Sequence, residues 1–275
     1  MFLAYALAGV GLLAAIAVSF LSMSNTSYRL SHNVLQVAQT EAAMDAAITR
    51  AVLGLLDPRP ERRWRVDGVP QEFTFADVKV RIAIQDELGR IDLNHADRSL
   101  LTGLFQSAGL GVVAASGLVD KLLDWRDAGQ GRRPSGAKEP EYRAAGLAHA
   151  PRNGPFQSVE ELKLVMGMTP ELFRRIQTAL TVYSGRQFLD PQFAPPEALA
   201  ALPGANRDAV ASAIALRNSQ GARAGIIDPG IPLRGRAFGI RLEIEQAHGV
   251  LTREVVIRLT DQPAQPYWVL SWRNR

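Results

Sequence analysis

The chain begins with a long apolar run. Residues 2–23 carry no charged side chain, and Arg29 is the first charged residue. A helix of about 22 residues is long enough to cross the hydrocarbon core of a bilayer. A cleavable signal would stop sooner and would be followed by turn residues. The run therefore predicts a transmembrane segment, with Ala14 and Ile16 inside it, where a charge would oppose insertion.

The helical pattern continues past this run into a polar, amphipathic stretch. Apolar residues recur at the spacing of one helix side, at Leu30, Val34, Leu35 and Val37. Residues 42–51 are strong helix formers, and Asp57-Pro58 ends the pattern. We therefore predict one helix over residues 2–56. Its exposed side between residues 35 and 48, which includes Leu35 and Val37, is the candidate face for a partner.

Alternation of apolar and polar residues, which is typical of strands, appears after the helix and again near the C-terminus. It covers residues 73–84, 240–245, 255–259 and 267–272. The four runs predict one sheet packed on the long helix. Since one run precedes a helical middle and three follow it, that middle is predicted to be an insertion into the sheet.

The helical middle, from Leu93 to about Arg217, contains three similar units. Each begins with a signal for a helix start, at Asp97, at Ser158 with Glu161, and at Pro195-Pro196. In the second and third units a glycine, Gly167 or Gly204, stands between two short helical runs. This is the outline of helix-hairpin-helix units.

Composition limits the classes of function. The chain has 275 residues, 47% hydrophobic and 21% charged, with a formal net charge of +4 and no cysteine. Disulfides and thiolate metal sites are therefore excluded. Arginine clusters such as Arg132-Arg133 suit nucleic acid or anionic lipid, although a solvated surface is their commoner role.

The sequence also argues against catalysis. Its four histidines are scattered without metal-ligand spacing, at His32, His95, His149 and His248. Nucleophile elbows, phosphate loops and dinucleotide fingerprints are absent from the sequence. Asp120 and Asp124 share a helix face, which is more typical of a solvated surface than of a catalytic pair. We predict that the chain is not an enzyme.

Several blocks resemble the K-type minor pseudopilins of type II secretion, in the same order. They are residues 86–94 (DELGRIDLN), 118–127 (LVDKLLDWRD), 153–162 (NGPFQSVEEL) and 194–197 (APPE). The resemblance runs from about residue 2 to the C-terminus. It implies an α+β fold, in which a pilin-like long N-terminal helix packs on an antiparallel sheet. A large all-α, helix-hairpin-helix (SAM-like) domain would be inserted between strands.

The expected boundaries follow from this fold. Residues 1–24 are the transmembrane part of the helix, and residues 25–91 are the pilin helix and first strands. Residues 92–220 are the inserted helical domain, and residues 221–275 are the C-terminal strands that complete the sheet.

The resemblance implies a structural role in secretion. K-type pseudopilins are similar to a cap on a short periplasmic pilus, joined with I-type and J-type minor pseudopilins in a tip complex that supports export of folded proteins across the outer membrane. Expected partners also include other pseudopilins, the inner-membrane assembly platform and the prepilin peptidase. The expected location is the bacterial inner membrane, with a single pass and most of the chain in the periplasm.

The sequence departs from the family near its start. Pilin-like precursors carry a short basic leader that ends in glycine, whereas here the apolar run follows Met1 directly. A late start codon or a mature form would explain this. Most pilins also carry a glutamate at the fifth mature position; the absence of an acid before Glu41 agrees with the K-type, which usually lacks it.

A second departure concerns calcium, which the family binds in a loop after the Asp-Trp helix. Calcium needs six to eight oxygen ligands. The remaining acids are candidate ligands for a degraded calcium site, namely Asp124, Asp127, Glu139 and Glu141. Gly129 and Lys138 stand where the family has acids, which should weaken the site. The alternative is a loop of solvated charges, in which Arg132 and Arg133 pair with Glu139 and Glu141.

A membrane-tethered DNA-binding protein is the second candidate function. Helix-hairpin-helix units often hold DNA phosphates through backbone amides in a turn with two glycines. The turns at Gly167 and Gly204 each have one glycine, which argues against this use because the second glycine permits close approach to phosphate. Packing is the more probable role of these units.

Overall fold

A computed structural model describes residues 1, 2, 11, 19, 34–59, 62–219, 226–227, 232–246 and 249–274, without the side chain of residue 246. Ala14 and Ile16, and most of the predicted transmembrane segment, lie outside these residues. Within the described part of the chain, no helix is both long enough and apolar enough to cross a membrane.

A long helix packs on an antiparallel sheet, as the sequence predicted. Helix α1 covers residues 34–56 and ends before Asp57-Pro58. In the described part of the chain, the sheet has five strands in the order β1-β2-β5-β6-β7. They are β1 (Asp67–Phe75), β2 (Val78–Asp86), β5 (Ala237–Gln246), β6 (Gly249–Gln262) and β7 (Gln265–Asn274). The alternating residues of the last three runs predicted β5, β6 and β7.

The prediction of one continuous strand over residues 73–84 is wrong, because these residues belong to the two strands of a hairpin. β1 and β2 pair antiparallel and meet at Ala76 and Asp77, which both have positive φ angles of 45° and 67°. Two-residue hairpin turns with positive φ usually carry Asn-Gly or Asp-Gly. The Ala-Asp pair lacks that signal, so the alternation of β2 appeared to extend back through the turn.

Between β2 and β5, which are neighbours in the sheet, the chain forms helices and a small parallel pair of strands. We call residues 87–236 the helical segment. Its elements are β3 (Ile91–Asp92), α2 (Arg98–Ser107), α3 (Val112–Arg126), α4 (Glu139–Ala144), α5 (Pro170–Ile176), β4 (Leu180–Thr181), α6 (Pro196–Leu199) and α7 (Arg207–Ser219). Short 3₁₀ helices cover Glu87–Gly89, Val159–Leu164 and Gln177–Ala179.

The three repeated units each turn at a glycine in the left-handed region. Gly109 lies between α2 and α3, Gly167 between the Val159–Leu164 helix and α5, and Gly204 between α6 and α7, with φ of 103°, 92° and 75°. Such angles favour glycine because it has no Cβ. Gly109 completes the pattern that the sequence indicated for the other two units.

All three predicted helix starts lie where they were expected, but the capping box predicted at Ser158 does not form. Asp97 accepts a hydrogen bond from the Leu100 N–H at 2.8 Å, and Pro196 opens α6. Ser158 makes no capping bond with its side chain. Glu161 instead accepts from the Gln157 N–H at 2.8 Å and pairs with Arg152, so this capping box does not form.

Among the described residues, the buried apolar side chains form two clusters. One lies between α1 and the sheet and includes Met44, Ile82 and Ile240. The other lies inside the helical segment and includes Leu101 and Trp125. The helical segment therefore has an apolar core of its own.

The two ends of the helical segment meet at a buried ion pair. Arg236, just before β5, donates to the Asp86 carboxylate at the end of β2 at 2.6 Å. The Arg236 guanidinium also lies 5.2 Å from the ring of Phe193, a residue of the helical segment that packs in the sheet cluster. Gly89 is required here, since an added Cβ would lie 2.4 Å from the Phe193 carbonyl oxygen. We call Asp86, Arg236, Phe193 and Gly89 the neck.

Burial raises the pKa of Asp86 to about 6, although the Arg236 charge and the Leu88 N–H oppose this. The folded pKa lies above the ordinary value of 3.8, so the folded state holds more protons between these values. The contribution of Asp86 to stability is thus complete below pH 3.8 and is lost as the pH rises through about 6.

We predict that Arg236→Met lowers the melting temperature (Tm) of the full-length chain in detergent, and lowers it more at pH 8 than at pH 5. Removing one partner of a buried pair costs about 3–5 kcal/mol when the other stays charged. The double variant Asp86→Asn, Arg236→Met should recover most of the loss at pH 8. A loss independent of pH would mean that Asp86 is not charged in the folded state.

Candidate functional site

The first described residues of α1 present an exposed apolar surface. Val34, Leu35 and Val37 are 68%, 56% and 63% exposed. The helix becomes half-covered only from Thr40 onwards, where Met44, Ala47 and Ile48 are buried against the sheet. Leu35 and Val37, predicted for the partner face, are thus accessible, whereas Ile48, at the other bound of that face, is buried. We call residues 34–39 the helix face.

A groove beside the helix face enlarges this surface. It has a volume of about 1060 Å³ and lies between α1 and strands β2 and β5. Val37 and Thr40 line one wall, and Val78 and Ile244 line the other. Arg81 stands at its edge, 3.6 Å from Glu243. The lining combines apolar side chains such as Val78 and Ile244 with charged ones such as Arg81, and amphipathic helices bind in grooves that offer apolar contacts.

Further along the chain, ion pairs tie α1 to the sheet. Arg253 of β6 is almost fully buried and pairs with Glu41 and Asp45, the latter at 3.3 Å. The Trp272 ring lies 4.7 Å from the Arg253 guanidinium. These contacts hold α1 in place, so the helix face is presented by a rigid element.

The second candidate site is the connection between α3 and α4. We call residues 124–141 the acidic loop; they include the last turn of α3 and the first turn of α4. Two carboxylates of α3 hold its backbone. Asp120 accepts from the Ser135 N–H at 3.0 Å and pairs with Arg98. Asp124 is fully buried and accepts from the Arg133 N–H at 3.2 Å. The pair that shares a helix face therefore points into the loop and not into solvent.

Lys138 lies at the centre of the loop. Its side chain is buried, and its ammonium donates to the carbonyl oxygens of Asp124 at 2.8 Å and Asp127 at 2.7 Å. It also donates to Oδ1 of Asn153 at 2.9 Å. The two carbonyls belong to the C-terminal end of α3, where unpaired carbonyls attract a cation. Lys138 thus caps α3.

Arginines pair with all four candidate calcium ligands. Arg133 donates to Asp124 at 2.6 Å and to Asp127 at 3.2 Å. Glu139 pairs with Arg143, and Glu141 pairs with Arg132 at 3.2 Å. Glu141 also accepts from the Lys138 N–H at 2.9 Å. Of the predicted alternative, only the Arg132–Glu141 pair is present as expected, because Arg133 instead pairs with Asp124 and Asp127, and Glu139 pairs with Arg143.

These contacts favour the charged carboxylates. Burial opposes the charge of Asp120, yet the bonds from Arg98 and the Ser135 N–H lower its pKa below the usual range. The Gly129 N–H and then Arg133 lower the pKa of Asp127. The Lys138 N–H lowers the pKa of Glu141. Asp120, Asp127 and Glu141 are therefore ionised at neutral pH.

An aromatic cluster supports the loop from below. Trp125 and Phe156 stack with ring centroids 6.1 Å apart, and Tyr142 lies 6.1 Å from Trp125. The Tyr142 hydroxyl accepts from the Met166 N–H at 2.8 Å. Trp125 and Phe156 are thus buried in the core, and their role here is packing.

The residues of the acidic loop do not fit calcium as they lie. In the described part of the chain, no group of three or more Asp, Glu, His or Cys side chains is arranged to hold a metal ion. The carbonyls of Asp124 and Asp127 already bond the Lys138 ammonium. The sequence indicated that Lys138 weakens a site, but it missed the bonds that Lys138 makes, because Asn153 is distant in sequence.

Comparisons with known proteins agree with the fold and with the resemblance. Residues 83–185 match the family model for protein K of the type II secretion system (T2SS). A chain from the crystal structure of the GspK–GspI–GspJ complex of the enterotoxigenic Escherichia coli type 2 secretion system is 15% identical, with a TM-score of 0.61. The match covers 89% of this chain and 99% of that chain. A search of curated protein sequences gives no match.

We predict that Gly136→Ala destabilises the acidic loop by about 1–3 kcal/mol, the usual cost of overpacking. An added Cβ would lie 1.8 Å from Oδ2 of the buried Asp124 carboxylate. Gly117→Ala in α3 is the matched control, since its Cβ would meet the Ser135 Cβ at an ordinary 3.6 Å. Thermal unfolding of the full-length chain in detergent measures both. Equal Tm values for Gly136→Ala and the wild type would show that the loop is not closely packed on Asp124.

Proposed function

We propose that this chain is a minor pseudopilin of the type II secretion system protein K family, and that it caps the tip of the pseudopilus and thereby supports export of folded proteins. The family match over residues 83–185 carries the assignment. The long helix on an antiparallel sheet, shared with the GspK chain, supports it. The role is structural and not enzymatic.

The proposed partners are the I-type and J-type minor pseudopilins. The GspK chain of similar fold comes from a complex with GspI and GspJ. The helix face offers a surface for such a partner, because Val34, Leu35 and Val37 are apolar and exposed. The adjacent groove has room for a second helix beside α1. We therefore propose a helix-to-helix contact along the helix face, and we call this interface the joint.

The helical segment would act as the cap. It is an inserted helix-hairpin-helix domain in this proposal, since it joins β2 and β5 and has its own core. A subunit added above it would meet this segment instead of a free end of the filament. Its bulk would therefore stop growth at the tip, which is a mechanical role that needs no catalytic residue.

The proposed location is the bacterial inner membrane. The uncharged run of residues 2–23 supports a single pass, with the rest of the chain in the periplasm. Other pseudopilins and the inner-membrane assembly platform would meet the chain there. The prepilin peptidase would process its precursor.

We predict that Val37→Glu abolishes co-purification of the full-length chain with its I-type and J-type partners in detergent. The charge would be buried at the joint without a partner, which costs several kcal/mol. Val113→Glu is the matched control, because Val113 is equally an exposed valine but lies on α3. Size-exclusion chromatography of the mixture gives the result.

Three outcomes of this experiment differ in meaning. Loss of the complex with Val37→Glu alone supports the joint at the helix face. An intact complex with Val37→Glu places the joint elsewhere. If the wild type forms no complex but shifts duplex DNA in a salt-dependent way, the DNA-binding alternative is the better function.

We predict that Ile16→Asp removes the chain from the membrane fraction and stops secretion. A charge at the centre of a transmembrane helix costs about 2.5–3.5 kcal/mol on insertion scales. Ile16→Leu, which keeps the segment apolar, is the control. Membrane fractionation and an assay of exported protein measure the two effects. Normal fractionation and secretion with Ile16→Asp would contradict a transmembrane role for this run.

A further inference from the structure

The ammonium of Lys138 has the surroundings of a bound cation. Three oxygens at 2.7–2.9 Å surround it, from two main-chain carbonyls and the Asn153 amide. The side chain is 5% exposed, so water contributes little to its solvation. Carbonyl and amide oxygens are hard ligands of the kind that calcium takes. Here they hold a positive charge that belongs to the protein.

Asn153 is placed for this role by its backbone. Its φ is +53°, in the left-handed region, which asparagine tolerates better than most residues. The next residue, Gly154, donates its N–H to the Trp125 carbonyl at 3.3 Å. Residues 153 and 154 therefore close the C-terminal end of α3 together with Lys138.

The acids of the loop leave little charge for a metal. Arg133 bonds both Asp124 and Asp127, while Glu139 and Glu141 have arginine partners of their own. A divalent cation would have to displace these arginines and to approach the Lys138 ammonium. The metal ion and the ammonium are both positively charged, and like charges that are buried close together repel strongly.

We propose that Lys138 and Arg133 replace the metal of the acidic loop, so that this chain folds and keeps its loop ordered without calcium. Lys138 bonds the oxygens at the end of α3, and Arg133 neutralises the carboxylates. The chain would thus keep its structure where free calcium is scarce. This inference does not depend on the tip-cap role, since it concerns the folding of the chain alone.

The test is thermal unfolding of the full-length chain in detergent, with EGTA or with millimolar calcium. The wild type should have the same Tm in both conditions, and titration calorimetry should detect no calcium binding. Lys138→Met keeps most of the stem but removes the charge and leaves three acceptors unpaired. It should lower Tm by about 5 °C or more, equally in both conditions.

Two further variants separate the charge from the packing. Lys79→Met is the matched control, because Lys79 is exposed on β2, and its Tm should stay within about 1 °C of the wild type. Asn153→Gly permits the positive φ but removes the amide oxygen. Its fall in Tm should be smaller than that of Lys138→Met and should not respond to calcium.

Either of two results would overturn the proposal. One is calcium binding by the wild type, seen in calorimetry or as a rise in Tm over the EGTA sample. The other is an unchanged Tm for Lys138→Met, which would mean that the ammonium does not hold the end of α3. If Lys138→Met does not fold, calorimetry on the wild type and the Asn153→Gly variant still decide.

Discussion

The pairing of β2 with β5 is the constraint on which the rest of the structure depends. Asp86 and Arg236 are 150 positions apart in sequence, yet their side chains bond at 2.6 Å. The cost of closing a loop grows only slowly with its length, so a sheet can accept a long segment between neighbouring strands if its ends meet. The neck achieves this with one buried pair and with Phe193, which packs into the cluster under α1. Each core then forms around its own residues.

The acidic loop, like the neck, contains buried charged groups that are stabilised by partners of opposite charge or by hydrogen bonds. Asp120, Asp124 and Lys138 are all buried, and an unpaired charge there would be expensive. Backbone N–H groups and arginines donate hydrogen bonds to the carboxylates, and the ammonium donates to backbone carbonyls. The loop has little regular structure, so these polar contacts, together with the aromatic cluster, determine its path. Its order is therefore electrostatic as much as hydrophobic.

Periodicity predicted the elements whose neighbours are local. The end of α1 at Asp57-Pro58 and the strands β5, β6 and β7 followed from helical or alternating patterns and from a helix breaker. The hairpin at Ala76-Asp77 did not, because tertiary pairing imposes positive φ there without a glycine. The loop acids were identified as candidates, but their arginine partners and the Lys138–Asn153 bond depend on contacts that no spacing rule contains. Sequence reasoning thus identified the loop and left its chemistry open.

The exposed apolar residues of the helix face link the fold to the proposed contact with other pseudopilins. Burying apolar surface yields about 25 cal/mol per Å², so an uncovered row of valine and leucine favours contact with another apolar surface. This row lies C-terminal to the apolar run of residues 2–23, from which the largely polar residues 24–33 separate it. Meanwhile Arg253 ties α1 to the sheet through Glu41 and Asp45. A force that acts on α1 would reach the sheet through these ion pairs. From the sheet it would reach the helical segment through the neck.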